Sequence, residues 1–382
     1  MKSKKLQNYP QQLNNMVSKE IKILKEIGQY AATKKIPLWA VGGFVRDFYL
    51  GKKTYDIDIC AEGKIDDLLS FCRKKYGAKI TRFETFGTAR VSLKNGLKLD
   101  FVRCRKEVYP KPAALPQVKP SNLKDDLFRR DFTANAAALS LLPSEFFKSY
   151  DFFEAEKAIK KGYIKILHDK SFIDDPTRVF RAVRFAARFN WNIEKSTLAL
   201  LKKAVKENYL LLLSRARLNH ELIKILEEKK PLSALKMLEK FDILKYYSPS
   251  LKVPKNIEKV KDLTERLTLL AFCCKEENLL KNLTLPRQIF TQAQENLKIL
   301  KNQKAVSFDL SPEQKNLLKL CYPKLKPCAF KKCFIDGSWL KEQGLNGAQI
   351  GQVLDIAAKN QFKGLYKSKS HAQKEVQKLL KK

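Results

Sequence analysis

Asp56-Ile57-Asp58-Ile59 alternates charged and apolar side chains, the period of two that a half-buried strand requires. Successive side chains of a strand leave opposite faces. Ile57 and Ile59 therefore turn into a core, and Asp56 and Asp58 stand together on the other face. Oxygen ligands of this kind suit Mg²⁺, which takes one or two carboxylates and fills its shell with substrate phosphates. Two such ions, roughly 3.5–4 Å apart, can clamp the attacking and leaving oxygens of a phosphoryl displacement. An isolated Asp-x-Asp is more often an ordinary exposed strand, so its neighbours decide.

Gly42-Gly43 stands between a strand, Leu38–Val41, and a helix carrying Val45 and Leu50. Glycine there lets backbone N–H groups approach a phosphate, and a helix N-terminus favours negative charge. Arg46, one turn on, is placed either to reach a triphosphate or to pair with Asp47. Asp100, in LKLDFVR, lies on a later strand that can bring it beside the first two aspartates. It is a candidate metal ligand, a candidate base for an attacking hydroxyl, or a surface acid. In DDLFRRDFTANAAAL, Arg129, Arg130 and Asp131 read as the opening of a helix, with Asn135 one turn later. Arg130 suits a phosphate clamp and Asp131 a ribose hydroxyl; the alternative is a plain helix start with an N-terminal acid.

In SFIDDPTRVFRAVRFAARF, Pro176 marks a helix start. Asp175, Arg178, Arg181 and Arg184 recur every three residues as a polar stripe, opposite Val179, Ala182, Val183 and Ala186. A solvated, salt-bridged face is the usual meaning of such a stripe. The sharper one is base recognition. A carboxylate accepts hydrogen bonds and a guanidinium donates them. Cytosine and adenine pair an amino donor with a ring-nitrogen acceptor, which an Asp–Arg pair matches; uracil and guanine invert the pattern and leave buried groups unpaired.

The formal net charge of +36, from 76 Lys and Arg against 40 Asp and Glu, points to a polyanionic partner such as nucleic acid. No apolar run approaches the roughly 20 residues that span a bilayer, so no membrane partner is expected. The segment MKSKKLQNYPQQLNNM lacks the apolar core of a secretory signal, and the eight scattered cysteines read as free thiols of a reducing cytoplasm. Cys321, Cys328 and Cys333 cluster without the paired spacing or histidine of a zinc set.

The order of elements predicts a helix over 17–35 carrying Val17, Ile21, Leu24 and Ile27, then strands at Leu38–Val41, Tyr55–Cys60, Ala89–Leu93 and Leu97–Arg103, with a helix over 64–75. That is a mixed sheet with helices on one side. A Pro-rich loop, YPKPAALPQVKPSN, follows, and from Leu123 onward nearly every segment reads as helix. The expected boundary between an α+β part and an all-α part falls near 145, with breaks near Pro231, Pro254 and Pro312. The Lys-rich segment YKSKSHAQKEVQKLLKK reads as a solvated helix.

GGFVRD followed by DID, then RRDFTANA, then DDPTRVFRAVRFAARF, resembles the class II tRNA nucleotidyltransferase and poly(A) polymerase family, of the DNA polymerase beta superfamily. The similarity covers roughly residues 36–245 and includes LSRARLNHELIKIL through Arg217 and Glu221. The resemblance implies a head (1–145), a neck with the base-reading helix (146–230), a body (231–300) and a basic tail (301–382) that binds tRNA. It implies that Asp56 and Asp58 bind Mg²⁺, and that Gly42, Gly43, Arg46 and Arg130 meet the triphosphate. Asp131 would lie near the ribose, Asp175 and Arg178 would read the base, and Arg181 and Arg184 would support the nucleotide. The implied activity is untemplated transfer of CMP and AMP from CTP and ATP to the 3′ end of tRNA. A-only addition, poly(A) synthesis and an inactive RNA-binding relative are the alternatives. One departure stands out: YDFFEAEKAI replaces the family's Asp-Pro-Phe-Gly-Gly, which keeps Asp151 and loses the glycines of the expected hinge. Arg105, Lys106 and Glu107 sit in the loop that CC-only enzymes lack in functional form, so A-addition is expected to be retained.

Overall fold

The computed structural model describes residues 18–54, 56–83, 87–276, 278–302 and 310–380. Val17 and Tyr55, expected at the starts of a helix and a strand, lie outside the described residues. The chain forms two compact units, Met1–Leu213 and Ser214–Lys382.

The first unit is built on a seven-stranded sheet: β1 (Leu38–Val41), β2 (Asp56–Ala61), β3 (Lys79–Phe83), β4 (Thr88–Ser92), β5 (Lys98–Arg103), β8 (Ala137–Ser140) and β9 (Ser149–Asp151), in the spatial order β3-β4-β5-β2-β1-β8-β9. β2 and β5 run parallel; the other neighbours are antiparallel. Helices α1 (Ser18–Thr33), α2 (Gly43–Tyr49) and α3 (Asp66–Tyr76) contribute to one core. There Leu24, Ile27, Phe44 and Leu68 pack with Ile57 and Ile59, the apolar half of the alternating strand. Gly28 lets α1 approach: a Cβ on it would lie 1.8 Å from the Leu141 carbonyl oxygen. A smaller cluster holds Trp39, Val41, Cys60, Leu123 and Leu127. Cys60 continues the side of β2 that carries Asp56 and Asp58, so the two carboxylates belong to this second face.

The expected boundary at 145 cuts between two paired strands, because Ala137–Leu139 bonds to Ser149–Asp151. Ala137 to Ser140 are all at most 1% exposed, so this strand is buried on both faces and shows no alternation. Its alanines favour helix in isolation; the neighbouring β1 overrides them. The Pro-rich stretch is also more ordered than a loop: β6 (Arg105–Val108) and β7 (Gln117–Pro120) pair as an antiparallel ribbon.

Beyond the sheet, α4 (Leu123–Phe128) precedes α5 (Ala155–Lys161), α6 (Ser171–Asp174), α7 (Thr177–Phe189) and α8 (Lys195–Lys206). Asp151 caps α5 in place of the lost glycine motif. Its Oδ1 accepts from Ala155 N at 2.8 Å and its Oδ2 from Glu156 N at 3.0 Å. Glu154 takes the left-handed conformation, φ 60°, that a glycine would adopt without strain.

The second unit is helical. Pro231 and Pro312 each open a helix, Pro231–Lys240 and Pro312–Cys321, as proline at a first turn does. Arg266 is 3% exposed and donates to the carbonyls of Val260, Leu226 and Glu228, which ties two helix ends together. The Lys-rich helix Lys369–Leu380 is solvated on one side only; Ala372 and Val376 pack in a cluster with Ile335, Leu340 and Ala357.

Candidate active site

Parallel pairing of β2 with β5 places Asp58 beside Asp100 in register, as expected. Asp56 is exposed and Asp58 half-buried. Burial pushes the Asp58 carboxyl above its ordinary range; Arg130 opposes this, while Asp100 and Asp56 push it further up. Crowded carboxylates call for a cation, and an all-oxygen donor set fits a hard divalent ion. Asp100 is paired with Arg90 from the adjacent strand, at 2.8 and 2.7 Å. Among the described residues, no three His, Cys, Asp or Glu side chains converge tightly enough to hold a metal ion. The fit therefore rests on Asp56 and Asp58 with ligands supplied by a substrate.

Gly42 has φ 72° with ψ −134°, a combination that residues with a side chain rarely adopt. A Cβ on it would lie 2.6 Å from Arg130 Nη1 and 2.9 Å from Asp58 Oδ2. The glycine thus lets a guanidinium and a carboxylate close on the same stretch of backbone. Arg130 donates to the fully buried Asp126 at 3.1 Å, and its buried Nε has no acceptor among the described residues. Asp58, Arg90, Asp100, Arg105, Arg129 and Arg130 border one cavity of about 400 Å³.

Arg129–Arg130–Asp131 closes a helix; it does not open one. Asn122 caps the start of α4 by accepting from Asp125 N at 3.0 Å, and Arg129 is its C-cap. The hub of this segment is Asp126, which the sequence reading passed over. It binds Arg129 at 2.8 Å and Arg130 at 3.1 Å. Burial alone would raise its carboxyl; Arg130 and Arg129 outweigh that and hold it below the ordinary value. The i, i+3 and i, i+4 spacing was the signal available. Glu107 of β6 joins through Arg105 at 2.9 Å and Arg129 at 3.1 Å, which ties the ribbon to the cavity wall.

Two residues expected at the nucleotide are engaged within the protein. Arg46 is 6% exposed, donates to Asn135 Oδ1 at 2.8 Å and to Asp47 Oδ1 at 2.9 Å, and lies over the Phe189 ring at 4.7 Å. It bolts α2 to α7, and it makes the pairing with Asp47. Asp131 accepts from Arg181 at 2.9 and 2.6 Å and from Asn135 at 2.9 Å. Burial would raise its carboxyl, but Arg181 and Asn135 hold it down at about 2.

The stripe on α7 is not a solvated face. Arg178 is 4% and Arg184 7% exposed, alongside the buried Val179, Ala182, Val183 and Ala186. Arg178 donates to Ser171 Oγ at 2.7 Å and to the Arg129 carbonyl at 2.8 Å, and its Nε lies 4.0 Å from Asp175 Oδ2. Asp175 is half-buried and accepts from Thr177 N at 3.1 Å. Arg181 and Arg184 both lie over Phe185, at 5.2 and 5.0 Å.

A paired-aspartate strand on a mixed sheet, facing an arginine-bordered cavity and followed by helices, defines a nucleotidyltransferase head. Family comparison agrees. Residues 38–165 match the poly A polymerase head domain and residues 190–253 the probable RNA- and SrmB-binding site of polymerase A. An A-adding tRNA nucleotidyltransferase of Geobacter sulfurreducens is 37% identical over 65% of this chain and 28% of its own length. Another, of Aquifex aeolicus, is 40% identical over 54% of this chain and 25% of its own. The matched segments thus span about a quarter of these curated relatives. A solved apo CCA-adding enzyme is 31% identical, with a TM-score of 0.70 over 96% of this chain and 97% of that one. The chain belongs to the tRNA nucleotidyltransferase and poly(A) polymerase family.

Proposed function

We propose that the protein transfers AMP from ATP to the 3′ end of tRNA, with Asp56 and Asp58 as Mg²⁺ ligands. The observation that carries this reading is the pair of adjacent carboxylates on β2, with Arg130 pressed against Gly42 beside Asp58. When bound, Mg²⁺ neutralises charge on the triphosphate and stabilises the displacement. The chain's own residues do the rest. Arg130 offers guanidinium donors to phosphate oxygens, with Asp126 fixing its orientation. Arg178 and Asp175 present a donor and an acceptor side by side to an incoming base. Arg181, held by Asp131, positions the same helix. The net charge of +36 suits capture of a folded RNA through its phosphates.

A-addition comes first because two similar relatives are named A-adding and because the β6–β7 ribbon is tied to the site through Glu107. Addition of CMP before AMP is the second reading, favoured by the near full-length likeness to a CCA-adding enzyme. Primer extension separates them. Purified protein with Mg²⁺ is given tRNA ending before CCA, after CC, or after CCA, with CTP, ATP or both. A-addition extends only the CC-ending tRNA, by one AMP. Full CCA addition also extends the shortest tRNA with CTP. Long ATP-dependent tails would make it a poly(A) polymerase, and no extension of any primer would refute the reading.

A further inference from the structure

Phe128 ends α4 immediately before Arg129 and is 44% exposed. Its ring rests against His168, centroids 5.3 Å apart, and against Phe153 at 5.7 Å. The three side chains make a short aromatic shelf. A second cavity, about 440 Å³, opens at this shelf, where Tyr109, Phe128 and His168 are ringed by the basic Lys106, Arg129 and Arg178 and by the acidic Glu107, Asp125 and Asp174. It adjoins the cavity that holds Asp58 and Arg130, with Arg129 forming part of both walls. Core packing does not account for an aromatic ring left open at a cavity mouth among charged neighbours. A flat, π-faced ligand whose charged end reaches the neighbouring cavity does: bases stack on aromatic side chains, and Arg129 and Arg130 of that cavity can receive phosphate charge.

We propose that Phe128, backed by His168, is the stacking surface for the base of the incoming nucleotide. The assignment rests on the proposed nucleotidyl transfer for the identity of the ligand. The base face meets Phe128, and Arg178 borders the same cavity from the base-reading helix. Stacking is indifferent to which base is bound, so this contact supplies affinity while Asp175 and Arg178 supply choice.

The test uses the full chain and measures binding apart from turnover. Equilibrium binding of ATP and of inorganic triphosphate is compared for wild type, Phe128→Ala and Phe128→Trp, with Mg²⁺ present. Removing a stacked base partner weakens binding by about 5- to 150-fold. The expected result is a loss of that order for ATP in Phe128→Ala, recovery in Phe128→Trp, and unchanged triphosphate binding throughout. Equal weakening of ATP and triphosphate would show a structural role and overturn the proposal, as would unchanged ATP binding. A rise in KM for tRNA with ATP binding intact would also overturn it, by moving the shelf to the RNA. Because the readout is binding, a wild type without transfer activity refutes the proposed function and leaves the shelf judged by its ATP-to-triphosphate difference.

Discussion

Replacing Asp131 with Asn removes the negative charge that holds Arg181 of α7 and one of the carboxylate's two acceptor oxygens, and the structure sets the size of the effect. The Asp131 carboxyl is held at about 2 against an ordinary 3.8. A shift of nearly two units is worth roughly 2–3 kcal/mol at 1.36 kcal/mol per unit. The Asp131 side chain is 9% exposed, so solvent screening discounts this only a little, although Arg181 keeps 30% of its side chain exposed. The sign follows from the direction of the shift. A lowered carboxyl contributes its full stability above the unfolded value of 3.8 and loses it as pH falls toward 2. The assay is urea denaturation followed by tryptophan fluorescence in a Trp339→Phe background, where the remaining Trp39 and Trp191 both report on the first unit. Asp131→Asn, Arg181→Met and the double variant close a cycle at pH 7. The expected coupling is about 2 kcal/mol, the difference between wild type and Asp131→Asn fading below pH 4. Additive single effects, or a difference that persists unchanged at pH 2.5, would show that the Asp131–Arg181 pair does not stabilise the fold.

Gly42→Ala forces a side chain into φ 72° and against Arg130 and Asp58. A misplacement near 1 Å at a reacting centre costs about 100-fold, so activity should fall by at least that much while circular dichroism stays native; near-normal turnover would remove Gly42 from the site. Arg178→Ala deletes a donor of the pair proposed to read the base, and lost hydrogen bonds to charged groups cost roughly 1.5–3 kcal/mol. The ratio of ATP to GTP incorporation should fall by about 10- to 150-fold; an unchanged ratio would show that α7 does not read the base. Affinity for tRNA should fall steeply with salt, with a log–log slope of about −0.7 to −0.9 per phosphate contact, and a flat salt titration would oppose a phosphate grip.

The strand of alternating Ile and Asp, the glycine turn and the helix after Pro176 were legible because each is a local pattern. Ile57 and Ile59 point into the core as their period requires. What was not legible depends on partners distant in sequence. Ala137–Ser140 is a strand because β1 and β9 flank it, and its buried alanines carry no period of two. Arg46 bonds to Asn135, 89 residues away, a partner that no local pattern announces. Arg129–Arg130–Asp131 seemed to start a helix because the Asn122 cap was overlooked. The sequence left the surroundings of the charged stripe of α7 open; burial of Arg178 and Arg184 shows that it is not a solvated face.

Asp56 and Asp58 are proposed to hold the metal for transfer to an RNA end. The most direct test is Mg²⁺-dependent incorporation of labelled AMP into CC-ending tRNA by wild type and by Asp56→Asn/Asp58→Asn, with tRNA affinity measured in parallel. One AMP added by wild type, none by the double variant and equal tRNA affinity are the expected results, because the carboxylates contribute metal ligands and not RNA contacts. Undiminished AMP incorporation by the double variant with Mg²⁺ as the only metal would contradict the account.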